Sequence, residues 1–435
     1  MAEVAVAAYA VGEVIETTAQ VGVAAYLISK PTMPLKATFT QIATSSEDKT
    51  RLSLCRADHT LSVVGDKAFI FGGETASGKV ASNDIHVVNL GSKDKPEPDY
   101  SIIPAVPDVG DGKVPVPRKK HAACAFNVCV AVFGGIGEDN SVIDEDSTVW
   151  LYNTSKCAWE TLKPANTTAS APKARSDASL FNNHNNLVLY GGRDADGTAL
   201  HDVWCFDYVE NTWTQQPDAP VSTPNAAVAD GFLHIITGAD NMSSDVHSLQ
   251  LPAKGKDKDL EQHSWQTVPF PTNPLTPGPR PRIGGGLIHV TTGYGRNYLT
   301  YLFGARQPSG AEPSSTEKPP TASNEPTYWS DIWTYQIPSS SPEAKVTTSL
   351  SDVIKPAKIK DKIRNALGYD SGEHSWCEVD VLPPADLDAV AGKVHPGPRG
   401  FFGCDVMEDG RTLVMWGGVN AKGEKEGDGW TIKLE

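Results

Sequence analysis

The sequence has no CxxC motif and no short-spaced cluster of cysteine and histidine residues, which argues against a zinc site or a disulfide framework. Its seven cysteines are dispersed over the 435 residues, at Cys55, Cys124, Cys129, Cys157, Cys205, Cys377 and Cys404. An odd, scattered set is typical of reduced thiols in an intracellular protein. We therefore expect a cytoplasmic location, with the nucleus as the alternative, no secretion, no metal site and no cofactor.

Long apolar runs are also lacking. The uninterrupted apolar stretch near the N-terminus, Val4 to Val11, is too short to span a bilayer, and no basic segment precedes it as in a secretory signal. We expect residues 1–35 to form a helical extension, with a helix from about Ala2 to Ser29 that ends before Pro31. Whether this helix packs on the folded body, binds a partner or touches a membrane stays open, although we do not expect a membrane protein.

Basic residues are in the minority. The chain has 38 Lys and Arg against 53 Asp and Glu, a formal net charge of −15. Such a surface repels polyanions, so we expect no nucleic-acid partner.

Standard catalytic signatures are missing as well. There is no P-loop, no GxSxG and no HExxH. The run Gly284-Gly285-Gly286 lacks the context of a dinucleotide-binding loop and indicates crowded backbone in a strand. The sequence therefore assigns no catalytic residue.

Turn residues and an internal repeat are what the chain has in abundance. With 38 Gly and 32 Pro, many turns and short strands are expected. A short apolar run ending in Gly-Gly recurs and indicates a buried strand followed by a tight turn. The six runs begin at Phe69, Ala131, Val188, His234, Tyr301 and Val414, and we interpret the fourth and fifth as having lost the second glycine.

Three further elements recur around these runs. A strand of the form Asp-apolar-Trp/His follows five of them, starting at Asp84, Asp202, Asp245, Asp331 and Asp428, whereas Thr148 takes the Asp position in the second copy. An aromatic residue followed three residues later by an aliphatic one marks another strand, as in Trp159 with Leu162. An arginine opens every copy except the one near Asn225.

This combination resembles the kelch repeat family over about residues 37–435. The resemblance implies an all-β fold, a six-bladed β-propeller of kelch-type repeats. The last copy lacks its own fourth-strand signature, so we expect the strand Ala37 to Ile42 to complete the blade that contains Gly417 and to close the ring. The predicted organisation is the extension 1–35 followed by one propeller domain, 36–435.

Three insertions interrupt the repeat, at about 254–262, 307–326 and 339–374. The charged composition of the first insertion predicts a solvated loop. The second insertion is rich in Pro, Ser and Glu, which predicts a disordered segment. In the third, Ile359, Ile363 and Leu367 follow Pro356 at helical spacing, which predicts a short basic helix from Pro356 to Leu367. This helix either docks on its blade or contacts a partner or a membrane surface.

The repeated arginines are the candidate ligand-binding residues. If each opens the innermost strand of its blade, they ring one mouth of the central channel, where planar guanidinium groups can bind a carboxylate or phosphate. In the alternative, which the kelch resemblance implies, they bond backbone carbonyls or a carboxylate between blades. The candidate set is Arg56, His59, Arg118, His121, Arg175, Arg282 and Arg399.

Two other repeated positions are expected to be structural. The Asp residues should bond backbone amides after the turn. Trp204, Trp333 and Trp430 should wedge between blades.

Two functional hypotheses follow. The kelch resemblance implies a non-enzymatic protein–protein interaction or scaffold module that binds protein partners through its loops. The alternative is a small-ligand-binding protein, or an isomerase- or pericyclase-like enzyme, that uses the channel mouth.

Overall fold

The computed structural model describes thirteen stretches of the chain, and the remaining residues are not considered further. They are residues 34–42, 53–91, 99–109, 112–165, 170–184, 186–237, 245–252, 264–269, 278–292, 296–306, 328–338, 373–383 and 393–435. The predicted N-terminal helix, the helix Pro356 to Leu367 and almost all of the three insertions lie outside the described residues.

Short β-strands build the described part of the chain. The first is β1 (Lys36–Ile42). Blade 1 contains β2 (Arg56–Ala57), β3 (Thr60–Val64), β4 (Lys67–Phe71), β5 (Glu74–Thr75), β6 (Ile85–Asn89) and β7 (Asp99–Ile103). Blade 2 contains β8 (Ala122–Phe126), β9 (Cys129–Phe133), β10 (Val149–Asn153) and β11 (Ala158–Leu162). Blade 3 contains β12 (Ser179–Asn183), β13 (Asn186–Arg193), β14 (Ala199–Asp207) and β15 (Thr212–Gln216).

The second half repeats this organisation. Blade 4 contains β16 (Ala226–Ala229), β17 (Phe232–Thr237), β18 (Asp245–Gln250) and β19 (Gln266–Val268). Blade 5 contains β20 (Arg282–Ile283), β21 (Gly286–Thr291), β22 (Asn297–Leu302), β23 (Ala305–Arg306), β24 (Ile332–Ile337), β25 (Trp376–Glu378) and β26 (Asp380–Leu382). Blade 6 contains β27 (Arg399–Gly400), β28 (Gly403–Val406), β29 (Thr412–Trp416), β30 (Val419–Asn420) and β31 (Gly429–Leu434).

Blades 1 to 5 are each built on a four-stranded antiparallel sheet that follows the chain order, and the sheet of blade 6 also includes β1 and β26. In blade 1 the order from the inside outward is β3, β4, β6 and β7, and the other blades repeat it. Small extra ladders form at the repeated arginine position, from the pairs β2–β5, β20–β23 and β27–β30. The fold is the six-bladed, all-β propeller that the repeats predict.

The innermost strands close a ring. β3 contacts β8, β8 contacts β12, β12 contacts β16, β16 contacts β21, β21 contacts β28, and β28 returns to β3. The buried apolar residues divide into six clusters, and each joins two neighbouring blades. Six seams for six blades are what a closed ring requires, because each sheet buries both faces against its neighbours.

Strand β1 completes blade 6. It pairs antiparallel with β31 in a register that sets Phe39 opposite Ile432 and Gln41 opposite Trp430. Its outer edge pairs in parallel with β26, which continues from the outer strand of blade 5. The strand from the start of the propeller is therefore held on both edges, which leaves no open edge at the joint.

The glycine pair after each second strand departs from the sequence interpretation in blades 4 and 5. The strand register shows that the first glycine is the one replaced, by Thr237 in blade 4 and by Phe303 in blade 5. Phe303 has a φ of 53° and the following Gly304 a φ of 101°. A residue with a side chain can adopt a φ of 53° at some cost, as Phe303 does. A φ of 101° is adopted almost only by glycine.

The two faces of the ring differ in their loops. The innermost strands begin at one face of the ring, which we call the mouth face. This face carries the repeated arginine position and the connections between second and third strands. At the opposite face, two-residue turns join β3 to β4 and β8 to β9. Most of the variable length described here therefore lies at the mouth face, where binding residues of propellers are free to vary.

Candidate functional site

Four of the five arginines fill the same internal socket. Arg175 of blade 3 donates two parallel hydrogen bonds to Asp202, at 2.6 and 2.9 Å, and a third to the carbonyl of Gly191. Arg282 forms the same fork with Asp331, and Arg399 with Asp428. Burial opposes ionisation of these carboxyl groups, but the arginine hydrogen bonds outweigh it and lower their pKa. The charge-assisted forks engage both terminal nitrogens of each guanidinium group.

Blade 2 reaches the same result with a different residue. Thr148 stands at the usual Asp position, and Glu145 from the preceding loop takes over its role. The Glu145 carboxylate accepts hydrogen bonds from Arg118 at 2.8 and 3.0 Å. The repeated Asp residues of blades 3, 5 and 6 thus pair mainly with the arginines, and a backbone N–H adds a smaller contribution for Asp202 and Asp331.

The same carboxylates also hold the tryptophans of their strands. Trp204 and Trp333 each donate their indole N–H to the nearby Asp at 2.7 Å, and Trp430 donates at 3.0 Å. All three indoles are buried. An Asp two residues before a Trp therefore locks an arginine and an indole at once, which explains why the three residue types recur together.

Blade 1 differs because His86 replaces the tryptophan. Arg56 donates to His86 Nε2 at 3.0 Å and to the carbonyls of Gly72 and Ser53, while Asp84 instead accepts a hydrogen bond from the Ser82 hydroxyl. Burial lowers the pKa of Arg56 to about 10, and burial together with Arg56 lowers that of His86 to about 3. His86 is therefore neutral, with Nε2 as the acceptor.

The two candidate histidines pin neighbouring blades together. His59 Nε2 accepts a hydrogen bond from the backbone N–H of Gly403 in blade 6, at 3.3 Å. His121 Nε2 lies 2.8 Å from the Thr60 hydroxyl in blade 1. Burial, and then the adjacent arginine, lowers the pKa of His59 to about 3 and that of His121 well below its usual value. Both rings are neutral packing groups of the seams.

The candidate set predicted from the sequence is thus placed inside the wall and not on its surface. Each of the five arginines and both histidines is at most 5% exposed. Their polar atoms are largely engaged by the protein itself. The arrangement matches the structural alternative considered for the arginines.

The residue two positions after the arginine is what reaches the mouth, and the sequence analysis missed it. It adopts a left-handed backbone in five blades, with φ between 52° and 61°, at Asp58, Lys120, Asp177, Gly284 and Phe401. Non-glycine residues in this conformation cost about 1–3 kcal/mol each. A cost repeated around the ring indicates a fixed geometric requirement.

Main-chain hydrogen bonds between these positions explain why the backbone conformation is the same in each of these blades. The N–H of Lys120 donates to the carbonyl of Asp58, that of Asp177 to Lys120, that of Asp58 to Phe401, and that of Phe401 to Gly284, all at 2.7–3.0 Å. Because each bond joins successive blades, the positions form a narrow ring of backbone around the axis. We call it the throat.

The side chains around the throat divide into a charged half and an aromatic half. In the charged half, Lys120 Nζ lies 3.7 Å from Asp177. Burial raises the pKa of Asp58, the third charged residue there. The aromatic half holds Phe401, whose ring would lie 2.7 Å from any Cβ at Gly284, and Tyr328, whose pKa is raised by burial and by nearby Asp58.

A second charged group braces the mouth face beside the throat. Glu74 of blade 1 accepts hydrogen bonds from Lys119 of blade 2 and Lys425 of blade 6, both at 2.6 Å. Burial opposes ionisation of Glu74, but the two lysines outweigh it and lower its pKa. One carboxylate thereby ties three blades.

The throat is broken at blade 4, where Thr223 stands at the equivalent position. Its N–H bonds the Tyr190 hydroxyl at 3.3 Å instead of the carbonyl of Asp177. Beside this break lies a cleft of about 40 Å³ between blades 4 and 5. Its walls are Ser222, Thr223, Pro224, Asn225, Ile236, Thr237, Pro281 and Tyr301.

An isolated carboxylate lies deeper along the axis. Asp405 of β28 reaches the free edge of β3 and accepts the N–H of Val63 at 2.7 Å. Burial raises the pKa of Asp405 to about 6, against the effect of its backbone hydrogen bonds. The carboxylate is a seam contact between blades 6 and 1.

Metal ligation and membrane insertion find no support in the described stretches. There, no three His, Cys, Asp or Glu side chains are grouped as a metal ion would require. Nor is any helix in this part of the chain both long and apolar enough to span a bilayer.

Comparison with known proteins identifies the repeat. The KLHDC2/KLHL20/DRC7 Kelch-repeats domain model matches residues 58–304, more than half of the chain. A solved structure titled "Structure of YjhT" covers 87% of this chain and 97% of its own, with a TM-score of 0.52 and 13% sequence identity, and so supports the fold alone.

Two curated relatives are longer than this chain. Acyl-CoA-binding domain-containing protein 5 of Arabidopsis thaliana is 24% identical over 349 residues, which is 78% of this chain and 48% of that protein. Tip elongation aberrant protein 1 of Schizosaccharomyces pombe is 28% identical over 151 residues, 35% of this chain and 12% of that protein. The chain thus spans half or less of the length of these relatives. The matched repeats, the six blades and the arginine sockets together establish that the chain belongs to the kelch-repeat family of β-propellers.

Proposed function

We propose that this propeller is a non-enzymatic protein-recognition module whose partner docks on the mouth face, centred on the throat. Kelch propellers generally act as protein-interaction modules, which makes recognition the starting expectation. The observation that carries the proposal is the contrast between the two sets of polar residues. The repeated arginines and histidines are buried in the wall of the propeller, where they bond to the protein itself. The throat position, in contrast, carries a different side chain from blade to blade and is in contact with solvent.

The chemistry of the throat suits a protein surface. Lys120 and Asp177 offer charge, and Phe401 and Tyr328 offer aromatic area within the same opening. Aromatic side chains beside polar groups are the usual anchors of protein interfaces. The small-ligand or enzymatic alternative loses support, because its candidate arginines and histidines are engaged by the protein itself.

The proposal includes a cytoplasmic location. Its support is that all seven cysteines are free thiols, as expected in a reducing compartment.

Affinity capture from native extract with three matched baits tests this function. The first bait is the wild-type chain, the second carries Lys120→Glu with Tyr328→Ala, and the third carries Val128→Glu. Val128 is 55% exposed in the β8–β9 turn, on the opposite face. We expect a stoichiometric partner that the wild type and the Val128 variant retain and the mouth variant loses. A partner set that is identical for all three baits, or lost only with Val128→Glu, contradicts the assignment of the mouth face.

A further inference from the structure

The cleft at the broken throat presents one side-chain acceptor that the fold leaves unused. Asn225 is 6% exposed, and its side-chain NH₂ donates to the carbonyl of Arg282 at 2.9 Å and to the Thr223 hydroxyl at 3.2 Å. These two acceptors fix the orientation of the amide, because only its nitrogen can donate. Its Oδ1 then has no hydrogen-bond partner among the described residues. This oxygen is therefore open to a donor from a ligand or from water.

The walls of the cleft define what can enter. Hydroxyl and amide groups of Ser222, Thr223, Asn225 and Thr237 alternate with the apolar surfaces of Pro224, Ile236, Pro281 and Tyr301. Of the described residues that line it, none is charged. An ion would therefore lose its hydration without a counter-charge, which favours a neutral polar group.

The volume of the cleft limits the size of the group that it can bind. One buried water needs roughly 10–15 Å³ of such volume, so the cleft of about 40 Å³ has room for about three water-sized groups. That is the size of a carboxamide or a single peptide unit, and too small for a cofactor. The group enters as the tip of something larger.

The break in the throat supplies the complementary groups. At four seams the N–H of one throat residue meets the carbonyl of the preceding one. On both sides of blade 4 this link is missing among the described residues: the N–H of Thr223 donates to the Tyr190 hydroxyl instead, and no main-chain hydrogen bond joins Thr223 to Gly284. An amide carries one N–H and one C=O and can pair with a donor and an acceptor at once, whereas an ether has no donor.

We propose that the cleft between blades 4 and 5 binds one carboxamide or peptide group of the partner protein, with its N–H donated to Asn225 Oδ1. The inference rests on the proposed recognition function and adds the chemistry of one anchor point: an Asn or Gln side chain, or one main-chain amide, inserted beside the throat. The apolar walls then cover the carbon atoms next to the amide.

Acetamide is the probe that tests this site on the full chain. Titration is followed by two-dimensional NMR of the Asn225 side-chain NH₂ group, assigned from its loss in Asn225→Leu. We expect a saturable shift of this resonance with acetamide and none with acetate, its charged counterpart. Thr237→Leu keeps the reporter resonance but fills the cleft, and it should abolish the shift. Asn182→Leu, at an exposed asparagine of β12, is the matched control and should bind acetamide as the wild type does.

Two results would overturn the proposal. A shift that rises linearly and equally in wild type and Thr237→Leu means that the cleft holds water only. Preferential binding of acetate means that the site selects an anion. Either result leaves the mouth-face capture experiment unaffected, because that experiment depends on Lys120 and Tyr328, which do not line the cleft.

Discussion

Lowering the pH from 7 to 5 should destabilise the propeller strongly, because buried neutral histidines hold its blades together. The pKa is about 3 for His59 and His86, about 4 for His234 and well below the usual value for His121, with burial as the main cause in each. All four residues are at most 6% exposed. In the unfolded chain a histidine has a pKa of about 6.5.

The sign and the size follow from proton linkage. Groups whose pKa is depressed by folding contribute stability that is complete above pH 6.5 and is lost as the pH falls toward 3 or 4. At pH 5 each histidine costs about 2 kcal/mol, about 8 kcal/mol for the four. Asp405 acts in the opposite direction, since its raised pKa of about 6 favours the folded state on acidification by about 1.4 kcal/mol at pH 5. The remaining loss compares with a total stability of about 5–15 kcal/mol for a typical domain.

Equilibrium urea unfolding, followed by fluorescence of the ten tryptophans, measures this dependence. Between pH 6 and 4 unfolding should take up about three net protons, a slope of about 4 kcal/mol per pH unit. His86→Gln should lower that slope by about 1.4 kcal/mol per unit, whatever its effect at pH 7. The exposed His201→Gln is the control and should leave the slope unchanged. A free energy of unfolding that is flat between pH 7 and 5, or an unchanged slope in His86→Gln, would refute the reasoning.

Three other substitutions probe the contacts that hold the ring. Asp405→Asn should stabilise the protein by up to about 3 kcal/mol at pH 8 and by nothing below pH 4, because only the ionised carboxylate is penalised by burial; equal unfolding midpoints at pH 8 would contradict this. Asp202→Leu leaves Arg175 buried without its counter-charge and should cost about 3–5 kcal/mol, whereas Arg175→Met with Asp202→Leu should recover much of the loss; the check is a double-mutant cycle of thermal unfolding that includes Arg175→Met alone. Phe39→Ala in the closing strand should cost about 3–5 kcal/mol, against little for its exposed neighbour in Thr40→Ala; similar melting temperatures for the two variants would count against closure through β1.

The architecture could be predicted from the sequence because it depends on residues that repeat. In the five blades where this glycine is described, it follows a buried second strand and has a φ of 92–101°, so the apolar run before Gly73 or Gly192 marks a blade. A ring also needs one completed sheet at its joint, and only the strand around Phe39 lacked a blade of its own. Geometry that every copy must satisfy leaves the same trace six times, and counting it is sufficient.

The contacts between repeated positions were harder to predict. The Asp of the third strand and the arginine of the first lie 27 residues apart in blade 3, at Asp202 and Arg175, and a single sequence gives no sign that they pair. The sequence favoured backbone amides for Asp202, since Asp after a turn usually bonds them. What reveals the fork is the depth of the socket, because a buried guanidinium needs acceptors nearby, and in blade 3 these include the Asp202 carboxylate.

The throat could not be predicted from the sequence, because its residues differ from blade to blade. Its residues are Asp58, Lys120, Asp177, Gly284 and Phe401, which share no chemistry and therefore form no motif. One signal was available: Asp and Gly are enriched where φ is positive, and three of the five are of these types. In a symmetric ring, a position that recurs with one chemistry serves the scaffold, because every blade needs the same contact. A position with fixed backbone and changing side chains is where one blade can differ from the next, and a partner that binds in a single orientation needs such differences. Thr223, where the throat opens, is the strongest of these differences among the described residues, which is why the cleft beside it is the place to look for specificity.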